Sequence, residues 1–136
     1  MLVNQAKNYS YKTAFLKLLS SDYNDLAYHR LFVKQFESAV EACKKGLAID
    51  PANKIIYTNL ALGYLLSKNF AEADKYYHQY KDSSYGGSNT FKEGFLQDFY
   101  DFELAGVINK KEKDVYDKVK ALREMLEAMK PDKKRR

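Results

Sequence analysis

Between residues 23 and 73 the sequence says one thing twice, with a period of 34 residues. Tyr23 falls on Tyr57, Leu26 on Leu60, Ala27 on Ala61, Leu31 on Leu65, Phe36 on Phe70 and Ala39 on Ala73. A unit this short cannot bury its own apolar face. Each copy has to be covered by its neighbour, so the chain is expected to be a stack of like units rather than one wrapped core.

The apolar spacing says what the unit is made of. Tyr11, Ala14, Phe15, Leu18 and Leu19 recur at three to four residues, as on one face of a helix. "SSDYND" follows, in which Ser20, Ser21 and Asp22 can each cap a helix start, so a break is expected there. A second helix is expected over about 22–34, with Tyr23, Leu26, Ala27, Arg30 and Leu31 inward. Its partner, about 36–48, carries Phe36, Ala39, Val40, Cys43 and Leu47 on one face. Pro51 lacks an amide hydrogen and biases Asp50 away from helix, which ends the unit. The pattern restarts over 54–66 and, after a short polar break, over 70–81.

"DSSYGGSNT" is the clearest loop, with Gly86 and Gly87 as breakers and Asn89 or Thr90 as the next cap. Phe91, Phe95, Phe99 and Phe102 then mark a fifth helix. After a turn at Gly106, Val115, Val119, Leu122, Leu126 and Met129 mark a last one over about 111–129. No stretch alternates with period two for long enough to predict a sheet. The fold class expected is all-α, in antiparallel hairpins. Ala27, Ala61, Ala39 and Ala73 stand where paired helices approach closely. A larger side chain there would cost roughly 1–3 kcal/mol in overpacking.

These residues carry a family resemblance. Tyr57, Leu60, Ala61, Tyr64, Ala73 and Tyr77 match the spacing of the tetratricopeptide repeat, with aromatics in its large positions. The preceding unit matches through Tyr23, Leu26, Ala27, Ala39 and Pro51, and departs at Arg30 and Cys43. The chain resembles the C-terminal part of a bacterial tetratricopeptide protein. That implies a short right-handed solenoid with capping helices. Residues 1–20 would form an N-terminal helix or partial repeat, 21–52 the first unit and 53–85 the second. Residues 90–129 would form a divergent third hairpin or C-terminal cap, and 130–136 a basic tail. Arrays of this kind commonly need about three units to be stable. Tyr11, Phe15 and Leu19 at one end and the phenylalanine row at the other are suited to cover the exposed faces. Ends left uncovered would favour self-association into a homo-oligomer.

In this family the first helices of the units line a concave groove that holds a protein or peptide. Carried over by position, the groove would contain Asn24, Tyr28 and Leu31 from the first unit, and Thr58, Asn59, Leu62 and Leu65 from the second. That lining is more apolar than charged. An asparagine at the place of Asn59 either grips a ligand backbone, since an amide donates and accepts at once, or bonds to the neighbouring helix. The cationic clamp for a C-terminal carboxylate is missing, because Asn24 and Tyr28 stand where it would be. The expected role is a non-enzymatic binding scaffold; the alternative is a structural, capping or self-associating domain of a larger protein.

Composition narrows the remaining classes. The formal net charge is +5, yet the last seven residues hold five basic groups and one acidic, which leaves the rest near neutrality. A basic stripe for nucleic acid is therefore not expected. A single cysteine excludes an internal disulfide and fits a reducing compartment, so a cytoplasmic location is the expectation. No apolar run suits a signal peptide or a membrane span. His29, His78 and Cys43 show no metal-ligand spacing, and Cys43 stands at a core position. Asp98 and Asp101 read as the solvated outer face of a helix. No phosphate loop or nucleophile motif is present, and no cofactor or metal is expected.

Overall fold

The computed structural model describes residues 2–129, with side chains from residue 10 onward; the expected basic tail lies outside the described residues. Six helices follow one another: α1 (Leu2–Phe32), α2 (Phe36–Ile49), α3 (Ile56–Leu66), α4 (Phe70–Tyr80), α5 (Phe91–Leu104) and α6 (Lys113–Glu127). They pack as sequential hairpins, α1 on α2, α3 on α4 and α5 on α6, with α2 also against α3 and α4 against α5.

Two expectations about elements are corrected. The break at "SSDYND" does not occur, and α1 runs unbroken for 31 residues. Ser20 is buried inside it, where its hydroxyl donates to the Gly46 carbonyl at 2.8 Å and accepts from the Asn53 amide at 3.1 Å. The side chain that could have capped a helix is engaged instead by α2 and by the turn after it. The Gly-rich loop is likewise more ordered than expected. Strand β1 (Ser84–Gly86) pairs antiparallel with β2 (Asn89–Thr90), turning through Gly87 at φ +58°. Thr90 then caps α5, its hydroxyl accepting from the Glu93 amide at 3.2 Å.

The period of 34 reappears in the backbone. Among the described residues, Lys34 and Lys68 are the two non-glycine positions with positive φ, at 65° and 69°. Around each, the same hydrogen bonds close the turn. Lys34 N–H donates to Leu31 O and Gln35 N–H to Arg30 O, while Lys68 N–H donates to Leu65 O and Asn69 N–H to Tyr64 O. This is the left-handed Schellman ending of a helix. Gly106 (φ +75°) ends α5 in the same way, through Gly106 N–H to Glu103 O and Val107 N–H to Phe102 O. The third hairpin shares the turn but is out of phase, and residues 105–112 separate its helices.

Burial follows the repeat as well. Ala27 and Ala61, Leu31 and Leu65, and Ala39 and Ala73 are fully buried pair by pair. Leu60 is inside, whereas Leu26, on the first helix of the stack, is 38% exposed. Arg30, the departure in the first unit, reaches across the hairpin to the Ser38 carbonyl at 3.2 Å. Close helix approach depends on glycine at two points. A Cβ on Gly46 would lie 2.8 Å from Ile56 Cδ1, and one on Gly63 would lie 2.7 Å from Val40 Cγ2. Nine of the eleven residues of α3 are buried, because α1, α2, α4, α5 and α6 all touch it.

Candidate functional site

The apolar part of the expected groove is filled. The four phenylalanines of α5 are fully buried, and Phe102 stacks on Phe32 of α1 at 4.0 Å with Tyr28 edge-on at 5.8 Å. Leu31, Leu62 and Leu65 lie in the core at 0% exposure, and α5 packs against α3 and, through Phe102, against Phe32 and Tyr28 of α1. These three are corrected from groove to core. A row of phenylalanines in chain order offers the core an apolar cover worth about 2–3 kcal/mol per ring.

What stays open is a cleft of about 390 Å³ at the beginning of α3 and α5. Asn24, Asp25 and Tyr28 come from α1; Ile55, Thr58 and Asn59 from the start of α3; Glu93, Gly94, Gln97 and Asp98 from α5. Tyr85 closes one wall, carried there by the β1–β2 turn and resting edge-on against Phe91 at 5.1 Å. Gly94 leaves room for it: an added Cβ would touch the Tyr85 ring at 3.5 Å and Thr58 at 3.7 Å. Four of the expected site residues, Asn24, Tyr28, Thr58 and Asn59, therefore do meet in one place. Its lining combines three carboxylates, Asp25, Glu93 and Asp98, with the apolar surface of Tyr28, Ile55 and Tyr85.

Local bonding fixes most of these groups. The Thr58 hydroxyl donates to the Ile55 carbonyl at 2.8 Å and is spent within its own helix. The Asn59 amide donates to Asn24 Oδ1 at 2.7 Å, tying α3 to α1. Of the two readings of Asn59, the bond to the neighbouring helix is the one made. Asp98 is half-buried in the cleft wall rather than on a solvated outer face. Burial, then the neighbouring charge of Asp101, pushes its carboxyl up to about 7. Asp101 in turn accepts from the Gln97 amide at 2.9 Å. Burial and then Asp98 and Asp101 raise the Tyr28 hydroxyl, so it stays a neutral donor at physiological pH.

The other singled-out residues lie elsewhere. His29 and His78 are exposed, and Cys43 is buried, its thiol pushed up to about 12 by that burial. Among the described residues no group of three or more His, Cys, Asp or Glu is arranged to hold a metal ion, and no helix is long and apolar enough to cross a membrane. Tyr57, Tyr64, Tyr76 and Tyr80 stack on one another across α3 and α4 at 4.5–6.0 Å, so these tyrosines build the hairpin.

Sequence spacing did not point to Asp98, Gln97, Gly94 or Tyr85, because they reach the cleft only through the way α5 and the turn before it fold over α1. No family model, no curated protein and no solved structure matches this chain.

Proposed function

We propose that this chain is a non-enzymatic protein- or peptide-binding module, built of two tetratricopeptide-like units and a divergent third hairpin stacked as a short solenoid. The observation that carries the proposal is the cleft itself: the first helix of each hairpin contributes to it, as α1, α3 and α5. The matched turns at Lys34 and Lys68 support the repeat reading. The one Thr hydroxyl of the lining is engaged within its own helix. Buried Cys43 suits a reducing compartment such as the cytoplasm.

Gly94 provides the test. A leucine there is compatible with the backbone and plugs the cleft; an alanine leaves most of it open. Peptides enriched by display on the wild-type chain should keep binding Gly94→Ala and lose Gly94→Leu, with both variants folded by circular dichroism. Peptides indifferent to the plug would place the binding surface elsewhere.

A second reading has its own observation. On α1, Tyr11, Phe15 and Leu18 are 70%, 62% and 66% exposed. A helix of 31 residues outruns the 14 of α2 by more than half its length, so this part of α1 has little to lie on. That face supports self-association. Sedimentation velocity should show a concentration-dependent larger species that Phe15→Glu abolishes.

A further inference from the structure

The 34-residue period assigns the faces of α1. In the matching helix α3, Ile56 and Gly63 lie against α2: Ile56 Cδ1 would be 2.8 Å from a Cβ on Gly46, and Val40 Cγ2 2.7 Å from one on Gly63. The equivalent positions on α1 are Asp22 and His29, and both are exposed. They belong to a longer stripe. Tyr11, Phe15, Leu18, Leu26 and Val33 are 38–70% exposed. With Asp22 and His29 included, the stripe advances in steps of 4, 3, 4, 4, 3 and 4 residues. At about 3.6 residues per turn this is one line along the helix, on the side opposite the buried Ser20, Ala27 and Leu31.

The steps read the same in both directions from Asp22. A two-fold axis through that residue lays Tyr11 on Val33, Phe15 on His29 and Leu18 on Leu26. Such self-complementarity is what an isologous interface requires. Other faces of a second copy fit less well. The side of α2 that a preceding unit would offer is taken by α3, and the outer side of α6 carries Lys113, Asp117, Lys120, Glu124 and Glu127. The area is adequate as well. Tyr11 and Phe15 alone leave about 200–300 Å² uncovered. The whole stripe is the size of the largest apolar patch usual on a monomer, about 300–600 Å². Two copies would bury about 600–1,200 Å², close to the lower end of a specific interface.

We propose that two copies of this chain pair antiparallel along α1, with Asp22 of each at the two-fold axis. This rests on the self-association reading above and gives it an orientation and a register. The two Asp22 carboxylates then face each other inside an apolar seam, where like charges repel. Asp22 sets the limit on affinity, and the dimer is of modest strength.

The experiment combines sedimentation velocity with disulfide cross-linking of the full chain, each variant first shown to be folded by circular dichroism. Asp22→Leu should dimerise at least about tenfold more tightly than wild type, and Phe15→Glu should abolish the dimer in either background. Cys43 is buried and takes no part in cross-linking. Tyr11→Cys and Val33→Cys, oxidised separately, should stay unlinked, because like positions stand about 33 Å apart along the axis. Oxidised together they should link one to the other. Tyr11→Cys linking to itself, an unlinked mixture, or Asp22→Leu binding no tighter overturns the antiparallel register while self-association through α1 stands. A chain monomeric at every concentration with and without Asp22→Leu, or a dimer indifferent to Phe15→Glu, overturns both and leaves the stripe to a different partner.

Discussion

Burial moves the Asp98 carboxyl from its ordinary 3.8 up to about 7, and the direction of that shift has a consequence for stability. The folded chain holds a proton over a range in which the unfolded chain has already lost it. Native stability therefore falls as pH rises from about 4 to about 7 and levels off above that. Asp98→Asn removes the ionisation without changing the shape. Urea unfolding should find the variant about 1–3 kcal/mol more stable than wild type at pH 8 and nearly equal to it at pH 4. A constant difference across pH would mean that Asp98 titrates as an ordinary surface carboxylate.

At the scale of the elements, the hairpins are set by how closely helices may approach and how each one ends. Gly46 lets α2 meet α3 and α1, since a Cβ there would lie 2.8 Å from Ile56 Cδ1, 3.2 Å from the Ser20 carbonyl and 3.3 Å from Tyr23 Cβ. The carbonyl oxygen is backbone and cannot yield as a side-chain tip does. Gly46→Ala should cost roughly 1–3 kcal/mol in equilibrium unfolding despite alanine's better helix propensity. Lys34 runs the opposite way. Its φ of 65° is a left-handed conformation that a Cβ disfavours, and its side chain is exposed. Lys34→Gly should stabilise the chain by about 1 kcal/mol, read as a rise in Tm. Lys68 is a less clean site because its ammonium also pairs with Glu112 at 3.2 Å and Asp114 at 3.4 Å, linking the α3–α4 turn to the start of α6.

Across the whole molecule, α5 decides how much of the space between the first helices stays open. Phe102 is fully buried and joins the third hairpin to α1 through Phe32 and Tyr28. Phe102→Ala should cost about 3–5 kcal/mol and, because it releases α5 from α1, should give Leu62 and Leu65 amides faster hydrogen exchange than those of α2. Uniform acceleration across all helices would mean that the contact is only one part of a single core. At the other side of α5, Arg123 of α6 pairs with Glu103 and lies over Phe99 at 5.9 Å, while Lys118 pairs with Asp74 of α4 at 2.6 Å. These contacts hold α6 in place as the outer cover of the stack.

Helix content and hairpin order could be read from the chain because both depend on local rules. Apolar spacing marks the buried stripe, Pro51 ends α2, Thr90 starts α5, and the 34-residue period survives in burial and in the turns at Lys34 and Lys68. Four of the seven expected groove residues, Asn24, Tyr28, Thr58 and Asn59, line one cleft because they occupy fixed faces of α1 and α3. The chain does not break at Ser20, because a capping side chain looks the same in the sequence whether it meets its own helix or, as here, a carbonyl 26 residues away. Leu31, Leu62 and Leu65 belong to the core, a place the sequence does not distinguish from a groove because an apolar residue serves either equally well. Only the docking of α5 onto α1 decides between them. That docking is a contact between residues some 70 positions apart, Phe32 and Phe102, and no local pattern encodes it. The same fold of α5 brings Glu93, Gln97 and Asp98, with Tyr85 from the turn before it, to the cleft beside α1 and α3.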